Sequence, residues 1–526
     1  MNTRLAAAVA AVLSLSAVTA HAQLGAYTTS DLIVSSTTYY DPGFAAGTAL
    51  PYSTTFSGST LNASAGSAFC ASADCTSNVW TNSLKTGAND ANFGLSSGIT
   101  ISAVNTKTGA TDASVNLTAL AGAAGVKAVT SFASKSELAL NFTPDYSAVT
   151  FMAYNTSTLG LLDVSNSNSF AGSEPGNTDT QTPTQRGVIT FNLSTNSVQQ
   201  TLTGAYSGNN GRAAILGSNG KIYTAGNAGN GNGSTAVTNG NGVQLMTPGQ
   251  NDTTVNAIGA YNITQQGYAA DKTAKDSNYR GMTIFNNTLY VTKGSGSNGI
   301  NTVYQVGTAG SLPTAAGSAT PVSILPGFST ALAKPGDLTV YHPFGLFFAN
   351  ASTLYVADEG SGATTDFGPT PTTNAGGLQK WSLVNNVWQL DYTLKGSLIG
   401  AKYTVNGTGS LAGDSTSVQT DGLRNLAGRV NGDGTVTLYA VTSTTGSALG
   451  DAGADPNKLV AITDNLAATS LSQVGGEDFT TLQTATLGQA LRGVAIAPVP
   501  LPPSVWLFGS GVLALVGVAR RRTVRA

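Results

Sequence analysis

Charge is scarce in this chain. Asp, Glu, Lys and Arg together make up 10 % of its 526 residues, where about 25 % is usual for soluble domains. The surface must therefore be wetted by the hydroxyls and amides of Ser, Thr and Asn, and stability should respond little to salt. Histidine is scarcer still, with two residues, His21 and His342. That excludes a zinc, copper or iron centre built from several imidazoles. A Ser-His-Asp hydrolase would have to use His342, and nowhere in the central region does a Gly-x-Ser-x-Gly segment stand in the strand-turn-helix context that presents such a serine. Two cysteines, Cys70 and Cys75, share one polar loop, FCASADC. Without nearby histidines they make a poor zinc site. In an oxidising compartment they suit a small disulfide-closed loop, with two free thiols as the other reading. Between Gln23 and Pro498 no long 3.6-residue amphipathic pattern is visible, which argues against long helices there.

What is present at the two ends concerns transport. Met1 to Ala22 carries one charge, Arg4, an apolar stretch from Leu5 to Ala20 and the small-residue site Ala20-His21-Ala22, the pattern of a cleaved secretory signal peptide. The mature chain is expected to start near Gln23. The last 28 residues read VPLPPSVWLFGSGVLALVGVARRRTVRA, from Val499 to Ala526. A hinge of Pro500, Pro502 and Pro503 precedes an apolar run, Val505 to Ala519, and then Arg520, Arg521, Arg522 and Arg525. The run is short for a bilayer span of about 20 residues, but the arginines would hold its end on the cytoplasmic side as a transient membrane anchor. The order Val499, Pro500, Leu501, Pro502, apolar run, arginines closely resembles the PEP-CTERM sorting signal in its VPLPA variant, with Pro503 where that motif has Ala. The resemblance implies processing by an exosortase-type protease, loss of the helix and arginines, and delivery to a bacterial cell surface or exopolymer matrix.

Losing Arg4 and the four tail arginines leaves 19 basic side chains against 26 acidic ones, a mature net charge near −7. Nucleic acid is excluded as a partner on this count, since a polyanion needs clustered Lys and Arg. The 41 % hydrophobic content can bury a large core and argues against disorder. The expected organisation is a signal peptide over 1–22, one domain over 23–498 and the sorting tail over 499–526.

The central domain repeats. A short apolar strand, a turn of Gly, Asn, Asp or Pro, and a strand often written Leu-Tyr-Val or Ile-Tyr-Thr recur in ELALNFTPDYSAVTFMAYN (Glu137 to Asn155), RAAILGSNGKIYTAGNAG (Arg212 to Gly229), RGMTIFNNTLYVTKGSG (Arg280 to Gly296), PFGLFFANASTLYVADEGSG (Pro343 to Gly362) and RNLAGRVNGDGTVTLYAVTST (Arg424 to Thr444). One or two further strand candidates follow most copies, such as Gly377 to Leu383 with Val387 to Lys395, and four strands make a propeller blade. An all-β propeller is the expected fold, with a β-helix or a pair of sandwiches as the competing architectures. The terminal RGVAIAP, Arg492 to Pro498, copies only a first strand, while Asp31 to Tyr40 looks like a second strand without its first. Joined, they close the ring. The count is then six blades, with enough chain between Gly43 and about Gly122 for a seventh.

The segments TDGLRNLAGRVNGDGTVTLYAVTS, YHPFGLFFANASTLYVADEGSG with GGLQKWSL, AYSGNNGRAAI and LRGVAIAP are similar to those of a group of secreted bacterial proteins with propeller-like repeats and no assigned activity. The likeness covers most of the chain from about Lys135 to Pro498 and implies a fold alone.

Candidate sites follow from the repeat. Arg212, Arg280, Arg424 and Arg492 open their first strands, His342 stands close to the same place, and Glu137 takes it in the remaining copy. First strands line a propeller's channel, so these positions should converge at one mouth. There the arginines would either hold a carboxylate or sulfate ligand or brace neighbouring blades. Asp358 and Glu359 follow a strand and are the candidates for a calcium ion, the one cofactor considered. The oxygen-rich turn Asn431 to Gly434 is better read as a hairpin turn. Gly226 to Gly242 and Gly294 to Gly299 read as loops, since neither has the Asp repeat of calcium turns or the Lys and helix of a phosphate loop. Trp381 and Trp388 flank a strand pair and are read as core or edge packing, with a sugar-binding face as the alternative. The functional expectation is a non-enzymatic structural or binding component of the envelope or exopolysaccharide layer. The alternative is a hydrolase or lactonase-like propeller enzyme with a divalent metal in its channel.

The stable surface form should have the mass of a chain that starts near Gln23 and ends near Pro500 to Pro503. Mass spectrometry that finds the intact Arg525-Ala526 end would make the tail an ordinary anchor.

Overall fold

The structure, a computed structural model, describes residues 31–43 and 95–496 except 162–163, 168, 170–183, 230–238, 252–253, 260, 270–275, 295–298, 335–337, 370–373 and 446–452, together with a separate hairpin of Thr55–Phe56 and Ser59–Thr60. The signal segment, the Cys70–Cys75 loop and the sorting tail lie outside the described residues. No helix among the described residues is long and apolar enough to cross a membrane.

Six antiparallel sheets succeed one another as the blades of a propeller. The first blade is the composite one: Gln489–Ile496 is innermost, followed by Asp31–Thr38, Ser96–Asn105 and Thr111–Asn116. The second runs from Asn141–Phe142 through Ala148–Tyr154 and Arg186–Asn192 to Val198–Thr203. The third has three strands, Gly211–Leu216, Ile222–Gly226 and Gly242–Met246, and its fourth position is reduced to bridges around Asn256 to Ile258. Met282–Phe285, Thr288–Lys293, Thr302–Val306 and Val322–Ile324 form the fourth blade, and Pro343–Asn350, Thr353–Asp358, Gly377–Val384 and Val387–Leu394 the fifth. The sixth is built on a 16-residue strand, Ser415–Val430, whose second half pairs with Thr435–Thr444 and then Lys458–Asn465 and Thr480–Thr484. Its first half pairs instead with Lys402–Asn406 as an appended hairpin.

Local chemistry explains the hairpins. Asn286-Asn287 and Asn385-Asn386 all have positive φ and join strands in two-residue turns, between Phe285 and Thr288 and between Val384 and Val387. Asn tolerates that backbone region and such turns match the twist of a strand pair. The turn Asn431 to Gly434 is likewise a hairpin turn, with Asp433 accepting from the Thr435 backbone and hydroxyl. The single α-helix among the described residues, Leu117–Ala123, is one capped excursion whose Asn116 side chain accepts the Ala119 N–H at 3.0 Å.

Strands near the axis are buried on both faces because each blade packs against two others. All seven residues of Ala148–Tyr154 are buried, as are all five of Ile222–Gly226. The core is thus divided into slabs at the blade junctions, for example Leu32, Val34, Tyr439 and Leu459 between the sixth and first blades. Trp381 and Trp388 belong to the slab between the fourth and fifth, where Trp381 stacks on Phe328 at 4.0 Å and Trp388 meets Phe348 edge-on. The packing reading of the two tryptophans therefore holds, and the sugar-face alternative does not: both rings are consumed by the core.

The ring closes between the chain ends, as the repeat pattern implies. Asp31–Thr38 is sandwiched in its sheet, pairing Leu32 with Ile496 and Thr38 with Gln489 on one side and Val34 with Ser102 on the other. The buried Ser35 hydroxyl accepts the Gly493 N–H and donates to the Leu138 carbonyl of the second blade, both at 2.7 Å. Ser35→Ala should cost about 1–3 kcal/mol, because it strands a buried N–H and carbonyl. Ending the chain before Leu491 should lower the melting transition of the whole ring, whereas removing residues after 498 should not. An unaltered melt without Leu491 to Ile496 would exclude the closed ring.

Candidate functional site

The residues that open the inner strands gather at one end of the channel. Arg212 is the second residue of its strand, Arg280 stands two before Met282, His342 directly precedes Pro343, and Arg424 and Arg492 lie within theirs. Glu137 occupies the corresponding place before Asn141–Phe142. They are near enough to act on one another: Glu359 feels Arg280, Lys135, Arg424 and His342, while Arg212 feels Arg280, Glu359 and Glu137.

Each guanidinium also has a protein partner. Arg212 reaches into the fourth blade, where its Nη1 donates to the Asn278 side chain and, at 3.0 Å, to the Tyr279 carbonyl. Arg280 crosses the mouth to the Ser136 hydroxyl. Arg492 donates to the Phe132 carbonyl, and Arg424 pairs with Glu359 at 3.2 Å. Glu137 is fully engaged, accepting from Thr130, the Ser131 N–H, Tyr154 and Asn210. Its carboxylate ties the approach to the second blade together.

Electrostatics at the mouth are unevenly compensated. Burial pushes the Glu359 carboxyl up, but Arg280, Lys135, Arg424 and His342 outweigh it and hold the group below the usual carboxylate range. Arg212 goes the other way, since burial and then the like charge of Arg280 disfavour its charged form. Its buried Nε has no hydrogen-bond partner, and neither has the buried Nδ1 of His342. Five basic side chains, Lys135 with the four arginines, thus meet Glu137 and Glu359, with Asp358 and the Asp366–Asp421 pair close by, and of the five only Lys135 and Arg280 are partly exposed.

Beyond this threshold the channel continues as a cavity of about 170 Å³ walled by the inner strands of the first, second, fourth, fifth and sixth blades, with Gly281, Gly345 and Gly428 among its lining. Its walls carry no ionisable group among the described residues.

Asp358 and Glu359 are spent on protein contacts. Asp358 accepts the N–H groups of His342 and Gly360 and the amide of Gln379, at 2.8–3.1 Å. Among the described residues no three His, Cys, Asp or Glu side chains come together as a metal-binding group. Beside them lies a pair that the sequence did not reveal: Asp421, fully buried, shares a hydrogen bond with Asp366 and accepts the Gly362 N–H at 2.7 Å. Gly360 makes room for it, with φ at +74° and with a Cβ position that would overlap the Asp421 carboxylate. Burial, and then the neighbouring Asp366 and Asp358, push Asp421 up to about 8. Lys135 was also missed. Its only sequence signal is its place two residues before Glu137.

No family model and no curated protein sequence matches the chain. Among solved structures it is similar to a Thermus thermophilus protein assigned as an oxidoreductase (glucose dehydrogenase), at 13 % identity over 65 % of this chain and 87 % of that one, with a TM-score of 0.29. It is also similar to the N-terminal domain of Nup159, at 6 % identity over 72 % and 86 % and a TM-score of 0.22. Both superpositions are loose, and neither bears on activity.

The Asp421 site has a pH signature. In the unfolded chain an aspartate titrates near about 3.9, so the stability Asp421 contributes is complete below that pH and is lost as pH rises through about 8. Asp421→Asn keeps the neutral form. It should flatten the fall in Tm between about pH 5 and about pH 8.5 and be more stable than the parent at the alkaline end by roughly 2–4 kcal/mol. Identical pH profiles for the two proteins would show that Asp421 is ionised throughout.

Proposed function

We propose that this chain is an exported propeller of the cell surface or extracellular matrix, a binding component of the envelope or exopolysaccharide layer that holds an anionic sugar group at its channel mouth. The observation that carries the reading is the convergence of four arginines and Lys135 at that mouth, strong enough to hold Glu359 ionised and to disfavour the charge on Arg212, in a chain whose mature charge is near −7. A carboxylate or sulfate brought there would relieve the repulsion between Arg212 and Arg280 and could accept from both Arg280 and Lys135 through charge-assisted hydrogen bonds. Export, exosortase processing and a matrix destination rest on the signal peptide and the VPLPP tail. A hydrolytic or lactonase-like role would need a set of free carboxylates, and Asp358 and Glu359 are both engaged by the protein.

The test is the double variant Lys135→Gln, Arg280→Gln. Its two side chains are partly exposed, so Tm should stay within about 2–3 °C of the parent, the scale of a surface change. Binding of oligogalacturonate or a sulfated oligosaccharide, followed by calorimetry at low salt, should weaken by about tenfold or more, the loss of one or two charge-assisted bonds. A collapse of Tm with undiminished binding would mean that these side chains only brace the ring.

A further inference from the structure

The two faces of the ring differ in what they carry, and the chain leaves by one of them. Each inner strand runs from the arginine mouth past the axial cavity, where Val494, Ala495 and Ile496 of the last strand line the wall beyond Arg492. Ile496 therefore ends the described ring on the face opposite the arginines, next to Leu32, its partner in the adjacent strand. That face also holds the turns from inner to second strands. In the five internal blades these turns are residues 143–147, 217–221, 286–287, 351–352 and 431–434, and they bear three charged side chains in all, Asp145, Lys221 and Asp433. Tyr146 and Val430 stand 51 % and 45 % exposed at two of them. The arginine face is made instead by the second-to-third connections, which are longer in every blade: 39–95, 155–185, 227–241, 294–301, 359–376 and 445–457.

Beyond Ile496 eight residues, 497–504, separate the ring from the apolar run that starts at Val505. Fully extended, they span at most roughly 26–29 Å. To present the arginine mouth to a membrane, this connection would have to pass from the centre of the ring to its rim and then back along the height of a blade. An eight-residue strand such as Gln489–Ile496 is by itself about 26 Å tall. The connection is too short for both legs. With the turn face towards the membrane it needs no detour. What then meets the headgroups is turn backbone, hydroxyls and amides with few charges, and Tyr146, an amphipathic side chain of the kind that suits a membrane interface.

We propose that, while the tail holds the chain in a membrane, the ring rests with its turn face on the lipid headgroups and its arginine mouth directed away from them. This orientation depends on Val499 to Ala526 acting as a membrane anchor, and it leaves the mouth open to an anionic polymer before the tail is cut.

The chain from Gln23 to Ala526, with Cys70→Ser and Cys75→Ser, is made with single cysteines for a fluorophore: Ala351→Cys or Gly432→Cys on the turn face, Ser157→Cys or Thr364→Cys on the arginine face. All four positions are exposed, and a Cβ at Gly432 meets nothing within 4 Å, so each variant should keep the parent's melting transition. Each is reconstituted into vesicles of phosphatidylethanolamine and phosphatidylglycerol that contain a lipid with a nitroxide on its headgroup. Flotation reads the anchor, and quenching reads the orientation. The chain should float with the vesicles. The labels at 351 and 432 should lose most of their fluorescence, while those at 157 and 364, the height of a strand further out, should keep theirs. A chain that floats with equal quenching on both faces, or with stronger quenching on the arginine face, overturns the orientation and leaves the anchor standing. A chain that does not float overturns the anchor, and the orientation with it.

Discussion

The closeness of the inner strands to one another around the channel decides most of what is built on them. A Cβ at Gly281 would overlap the Phe344 carbonyl, one at Gly345 the Arg424 carbonyl, and one at Gly493 the Leu138 carbonyl. Backbone therefore meets backbone across three junctions, and where a side chain does stand, it bonds its neighbour: Asn425 donates to the Arg492 carbonyl at 2.7 Å and Asn141 to the Ala214 carbonyl at 3.0 Å. With the axis this crowded, long side chains on these strands can only sit at the mouths. The convergence of Arg212, Arg280, Arg424 and Arg492 follows from that steric rule as much as from any need for charge.

The scarcity of charge has its counterpart in how the blades are joined. Ser35, Thr150 and Thr292 sit on second strands, and each donates its hydroxyl to the inner strand of the next blade, at Leu138, Ala214 and Phe344, over 2.7–2.9 Å. A hydroxyl needs no counter-ion and costs far less to bury than an ion does. Where an ion is buried it is surrounded. Lys380, between the fifth and sixth blades, donates to Asp464 at 2.9 Å, to Tyr392 and to the Asn465 carbonyl, with Tyr355 and Tyr392 rings on its flanks. The chain thus places few charged side chains in its junctions.

Fold and closure could be read from the sequence because propeller blades are local: a hairpin with Asn-Asn or Gly-Asp-Gly punctuation is legible within about 20 residues. The half-blades at the two ends were legible for the same reason, as an Arg-Gly-Val strand without its partner. Departures came where local patterns run on or fade. Ser415–Val430 is twice the usual strand length and serves two hairpins in turn, and the third blade lacks a regular fourth strand. The mouth was half legible. Its arginines share one place in the repeat, but Lys135 and the Asp366–Asp421 pair stand at non-equivalent positions and meet only because the ring curls. Trp381 and Trp388, read as packing residues because they flank a strand pair, are core rings.

The order of synthesis gives the clasp a further meaning. Asp31–Thr38 is made early, yet Gly493, which its Ser35 needs, comes 458 residues later. Until then one edge of that strand has no pairing partner and the Ser35 hydroxyl lacks the Gly493 N–H that it accepts. An unpaired strand edge is a template for other chains, and long-range pairing is slow to form. Five blades can stack as they are made, but the ring stays open until the very end. The vulnerable species is therefore a nearly complete spiral with its first strand bare, and the late strand Gln489–Ile496 is what covers it.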